Sequence, residues 1–138
     1  MVNTTVRRMT NEEKVQHWIK IADNDLVVAQ GMIEMKQNLY VGFMCQQATE
    51  KLIKGYFIKM KNDVHPHIHD LLKLAERAEL LEMLNEEQIA LLAELNPMYM
   101  EARYVEYKMR ILEYLTDEKT KSILEKTKEF VQWMKEKM

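Results

Sequence analysis

The residues that punctuate structure are scarce in this chain, which has 3 Gly and 2 Pro among 138 residues. A β-rich fold of this size needs turn residues about every ten positions, so helices joined by few loops are expected instead. The single cysteine, Cys45, has no intrachain disulfide partner, and no apolar run has the length of a signal peptide or a membrane span. A cytoplasmic protein with no membrane contact is therefore expected. Neither sign of charge dominates. The 20 basic and 22 acidic residues leave a net charge of -2, too little for the global positive field that drives non-specific nucleic-acid binding. Any contact with phosphate must come from a local cluster.

What is present is a globular composition, 47% hydrophobic and 30% charged, at a length suited to one core. Residues 1–9 lack periodicity and read as a flexible segment carrying Arg7 and Arg8; residues 10–138 read as one domain. Thr10 and Glu13 have capping-box spacing and open a first helix, in which Val15, Trp18, Ala22, Leu26, Ala29 and Ile33 recur at threes and fours to about Met35. Lys36 to Asn38 is a turn, with Asn38 as the next cap. The second helix, to about Met60, carries the stripe Tyr40, Val41, Met44, Ala48, Leu52, Gly55 and Ile58. A second apolar face holds Phe43, Ile53, Tyr56, Phe57 and Met60. A helix apolar on two sides is central in its bundle or meets another subunit, and a homodimer is expected from it.

Asp70 starts a short helix, Asn85 and Gln88 cap another that Asn96-Pro97 ends, and Thr116 with Asp117 and Glu118 opens the last. Residues 98–115 show no clean stripe and read as helix giving way to irregular chain. The fold class is all-α, an up-and-down bundle of four to five helices.

Three constellations bear chemistry. Asp25 and Lys51 stand where their helices should be apolar, so an acid and a base could meet between antiparallel neighbours, as a structural pair or as the lining of a polar cleft. His65, His67 and His69 alternate before Asp70, but nothing elsewhere completes a tetrahedral set, so no metal is expected. Arg103, beside Tyr99, Tyr104 and Tyr107, is the best local anion site, its planar fork suited to phosphate and the rings to stacking on a base.

Together, Trp18 with Ala22-Asp23-Asn24-Asp25-Leu26 and Ala29, the run Gln46-Gln47-Ala48-Thr49-Glu50-Lys51-Leu52-Ile53-Lys54, His69-Asp70-Leu71, and Tyr99 to Tyr104 ending in Ala102-Arg103-Tyr104 resemble the HEPN family, the higher eukaryote and prokaryote nucleotide-binding domain. The resemblance spans about residues 15 to 135. It implies a helical bundle, commonly homodimeric, that often acts beside a minimal nucleotidyltransferase. Some HEPN proteins are metal-independent ribonucleases built on an Arg followed four to six residues later by His. Arg103 matches the Arg, but no His follows His69 in this chain, and Val105 stands where a Pro often follows Arg-Tyr. The expectation is thus a non-catalytic module with no cofactor and no catalytic residue. It would bind a nucleotide, RNA or a nucleotidyltransferase partner through Asp25, Gln47, Lys51, His69, Arg103 and Tyr104. The alternatives are a ribonuclease toxin of a toxin-antitoxin pair and a ligand-free dimeric scaffold.

Overall fold

The structure, a computed structural model, describes residues 8–100 and 105–138. Six α-helices form it: α1 (Asn11–Glu34), α2 (Asn38–Lys61), α3 (Leu71–Arg77), α4 (Glu86–Leu95), α5 (Val105–Tyr114) and α6 (Asp117–Lys135), with 3-10 turns at Leu81–Met83 and Asn96–Met98. No strand occurs among the described residues. The expected segment 1–9 falls mostly outside them.

Local chemistry starts the helices where the sequence places their caps. The side chains of Thr10, Asp70 and Thr116 accept from the backbone N–H three residues on, and Asn85 with Gln88 closes a reciprocal capping box. Asn38 is a correction. Gln37 precedes α2 without a side-chain cap, while Asn38 donates across the bundle to the Leu115 carbonyl at 3.0 Å and to Asp117 at 2.8 Å. That ties the start of α2 to the start of α6. The scarcity of glycine also has a structural answer: the chain turns after α1, α2 and α3 at Lys36, Asn62 and Glu79, all at positive φ. A side chain in that region costs roughly 1 to 2 kcal/mol, which the packed helices on either side must offset.

α1 and α2 form an antiparallel hairpin, and α6 lies antiparallel to α1, with Lys135 on Asp23 and Lys128 on Gln30. α3 and α4 cover the other side of α2. α2 is thus the central helix, and most of its second apolar face is covered within the chain: Ile53, Tyr56 and Phe57 are buried and Phe43 is half-buried against Tyr99, while Met60 stays exposed. Of this face, Met60 and the uncovered part of Phe43 are what a second subunit could meet. Close approach of α1 to α2 needs Gly55, where an added Cβ would stand 3.0 Å from the Trp18 Cβ. Leu52, Ile53, Leu71, Leu74, Leu92 and Leu95 are fully buried, each such side chain contributing roughly 1.5 to 3 kcal/mol.

Residues 98–115 reverse the order expected of them. The 3-10 turn comes first and the helix, α5, comes last. Its ten residues include no buried one, and Ile111 meets the core only as a half-buried side chain. Glu101 to Tyr104, and with them Arg103, lie outside the described residues.

Candidate functional site

The centre of α2 carries Gln46, Gln47, Glu50, Lys51 and Lys54 within nine residues, and each is engaged. On the flank facing α1, Lys51 Nζ donates to Asp25 Oδ2 at 2.7 Å. The acid and base expected to meet do meet. Asp25 is buried, and the Lys51 side chain keeps 24% of its surface exposed, so the ammonium has one foot in water.

The other flank holds a longer chain of bonds. Glu50, its side chain 5% exposed, accepts from Lys54 Nζ at 2.9 Å, from Gln46 Nε2 at 3.0 Å and from His69 Nδ1 at 3.1 Å. Gln47 donates to the Gln46 carbonyl oxygen at 2.8 Å, and Gln46 also donates to the His69 backbone carbonyl at 3.4 Å. These bonds pin the stretch of chain before α3 to α2. Because a carboxylate only accepts, the Glu50 contact places a proton on His69 Nδ1, and in the neutral ring Nε2 is then the acceptor. The Tyr99 hydroxyl lies 3.1 Å from Nε2, and the two rings stack with centroids 4.2 Å apart. His69 itself is half-exposed. It opens onto a depression of about 370 Å³ lined by Asp70, Asn96, Pro97, Tyr99 and Tyr107.

Two short connections hold that depression in shape. Asn96 Oδ1 accepts from the Leu71 N–H at 2.7 Å while its amide donates to Asp70, which also caps α3; the Tyr107 hydroxyl donates to the Pro97 carbonyl at 3.1 Å. The end of α4, the start of α3 and α5 therefore meet around His69.

Of the expected site residues, His69 and Gln47 belong to one hydrogen-bonded chain through Gln46, and Asp25 and Lys51 form a separate pair on the α1 side. Arg103 and Tyr104 fall outside the described residues. Sequence reasoning overlooked Glu50 as a site residue. Its signal was available: Glu50 and Lys54 are an i,i+4 acid-base pair on a helix whose other positions are mostly apolar. Of the three alternating histidines, His65 and His67 keep an edge-to-face contact with ring centroids 5.5 Å apart, and only His69 turns to Glu50. The His65 ring also meets Trp18 edge-on, and burial, its largest influence, lowers its pKa. No group of three metal-ligating side chains gathers among the described residues. Cys45 is buried, and desolvation pushes its thiol up to about 12, so no thiolate nucleophile is available there.

The HEPN domain model matches residues 15–137. The chain belongs to the HEPN domain family. The crystal structure of TT1696 from Thermus thermophilus is similar to this HEPN bundle, with a TM-score of 0.75 and 23% identity over 91% of this chain and 98% of that one. At that identity the likeness speaks for the fold alone. No curated protein matches the chain. No helix among the described residues is long and apolar enough to cross a membrane.

Proposed function

We propose that this HEPN module binds a phosphate-bearing ligand, a nucleotide or a stretch of RNA, at the depression beside His69. The observation that carries the reading is the half-exposed His69, whose Nδ1 is committed to buried Glu50 so that Nε2 faces the depression with Tyr99. Arg103 stands four residues after Tyr99 in sequence and supplies the fixed positive charge; Tyr99 and Tyr104 supply faces for a base. Gln47 supports the site through Gln46 and the His69 carbonyl. Asp25 and Lys51 are spent on each other, and in this reading they hold α1 against α2 rather than touch ligand. A homodimer and a minimal nucleotidyltransferase partner remain part of the proposal, on the strength of family resemblance.

Titration of the chain with an ATP analogue and with a short RNA, at fixed salt, tests this. Arg103→Ala should weaken binding by about tenfold or more, the loss of one charge-assisted contact. His69→Ala should weaken it less, and Asp25→Asn should leave it unchanged. Equal affinity in all three variants would exclude the site.

A second reading has its own observation. An imidazole oriented by a buried carboxylate at the edge of an open depression has the arrangement of a general base once a substrate hydroxyl takes the place of the Tyr99 hydroxyl at Nε2. The same RNA incubated with chelator present separates the two: cleavage abolished by His69→Ala would establish ribonuclease chemistry, and intact RNA supports binding alone.

A further inference from the structure

A trough of about 500 Å³, larger than the depression at His69, runs between α4 and α6. Leu91 and Phe130 are buried in its floor, and Trp133 lies half-buried beside Phe130. Positions 87, 91 and 94 of α4 and 126, 130 and 133 of α6 repeat at steps of four and three. Each wall is therefore a two-turn seam, about 10 Å long, of the kind a third helix packs into. The rim is acidic. Glu87, Glu94 and Glu129 outnumber Lys126 and Lys137, whose Nζ lies over the Trp133 ring 4.5 Å from its centroid, and Glu87 and Glu129 enter no ion pair among the described residues. Glu94 accepts the Tyr114 hydroxyl.

We infer that this trough docks a partner protein through a basic amphipathic helix, with an apolar ridge seated over Leu91, Phe130 and Trp133 and Lys or Arg side chains against the three carboxylates. Charge complementarity selects the occupant. An acidic rim repels RNA and anionic lipid, so this face is separate from the phosphate site proposed above and does not depend on it. Small-molecule sites enclose most of their ligand, whereas here Glu87, Ala90, Lys126 and Glu129 are all exposed and the trough is open along its length. A second copy offers α5, whose outward Val105, Met109 and Leu112 are flanked by Glu106 and Glu113 and equally by Lys108 and Arg110, so it lacks the net positive charge that the rim selects. A helix laid in a groove is a common recognition mode, and its basic flanks would set orientation and on-rate. The trough ends at Glu94, next to the Asn96 and Pro97 that line the depression at His69. A partner seated here would stand beside that depression.

The probe is a designed Leu/Lys helical peptide of about 14 residues, with a Leu/Glu peptide of the same pattern as its opposite. Titrated into the full chain, the Leu/Lys peptide should shift the Trp133 indole N–H resonance and leave that of Trp18 in place, Trp133→Phe assigning the two. Glu87→Lys with Glu129→Lys should weaken binding at least about tenfold. Both positions are exposed, so the thermal melt of that variant checks that folding is intact. No binding, equal binding of the Leu/Glu peptide, equal affinity of the charge-reversed chain, or a shift confined to Trp18 would each overturn the inference. A change in mass by light scattering on charge reversal would also overturn it, by giving the trough to a second copy.

Discussion

The two flanks of α2 each set a buried carboxylate against a lysine, yet they end differently. Asp25 and Lys51 join two helices and satisfy each other. Glu50 and Lys54 sit one turn apart on the same helix, and the carboxylate has capacity left over, which it gives to His69. The first pair closes on itself; the second extends outward until it reaches a half-exposed ring. A buried ion pair is weak evidence for stability, because desolvation consumes most of the Coulombic gain. What distinguishes a structural pair from part of a site is whether its chain of bonds terminates inside the protein or at its surface.

Removing one member is the strongest way to break that contrast. Glu50→Gln leaves Lys54, 6% exposed, charged and without its carboxylate, and should cost about 3 to 5 kcal/mol by urea denaturation. Lys54→Met added to it should recover part of the loss. If Glu50→Gln costs under about 1 kcal/mol, Lys54 reaches water and the cluster is looser than its distances imply. Asp25→Asn should cost less, about 1.5 to 3 kcal/mol, because the Lys51 side chain already has 24% of its surface in solvent. The sharper measurement is a double-mutant cycle with Lys51→Met, where a coupling near zero would show that the 2.7 Å contact contributes nothing.

The fold was legible because its signals are local. Thr10, Asp70, Asn85 and Thr116 are caps by chemistry, and three-four spacing marks α1, α2 and α6 without reference to anything distant. The Asp25–Lys51 contact was legible for the same reason: a charge on an apolar stripe asks for a partner, and a short turn makes the adjacent helices antiparallel. What stayed hidden depends on elements far apart in sequence. Asn38 reads as a cap by type, and only the approach of residues 115 and 117 turns its amide elsewhere. The i,i+4 spacing of Glu50 and Lys54 is visible in the sequence, but that the pair is covered, and by what, appears only when α3 and the chain before it pack on that flank. Phe57 reads as unpartnered until the rest of the chain folds over α2. α5 was missed because it touches the core only through half-buried side chains such as Ile111 while Val105, Met109 and Leu112 stay exposed.

A milder change separates the flanks by geometry alone. An added Cβ at Gly42 would stand 2.7 Å from Met98 Sδ and 3.1 Å from Leu115 Cδ1. Met98 adjoins Tyr99 in the 3-10 turn beside His69, so Gly42→Ala should displace that turn, at about 1 kcal/mol of overpacking, and leave the Asp25–Lys51 contact alone. Ligand affinity should fall more than stability does. Unchanged affinity with lowered stability would detach Met98 from the site.

The smallest effect contrasts two histidines four residues apart. His69 faces a carboxylate, whereas His65 has the Pro66 carbonyl at 3.2 Å and Trp18 at its edge. Burial lowers the His65 pKa, with Lys54 and His67 adding to the shift and the Pro66 carbonyl and Glu50 opposing it. In the unfolded chain this ring takes a proton near its ordinary value of about 6.5; in the folded one it resists until lower pH. The unfolded state therefore binds more protons in that window, so stability falls as pH drops below about 6.5 and levels off only beneath the folded pKa. His65→Phe keeps an aromatic edge for Trp18 and removes the titration. Urea melts at pH 7.5 and 5.5 should show wild type losing more stability than His65→Phe, by a fraction of the full desolvation cost because the ring is only partly buried. Equal losses would mean that the Trp18 contact leaves the His65 proton as free in the fold as it is in the unfolded chain.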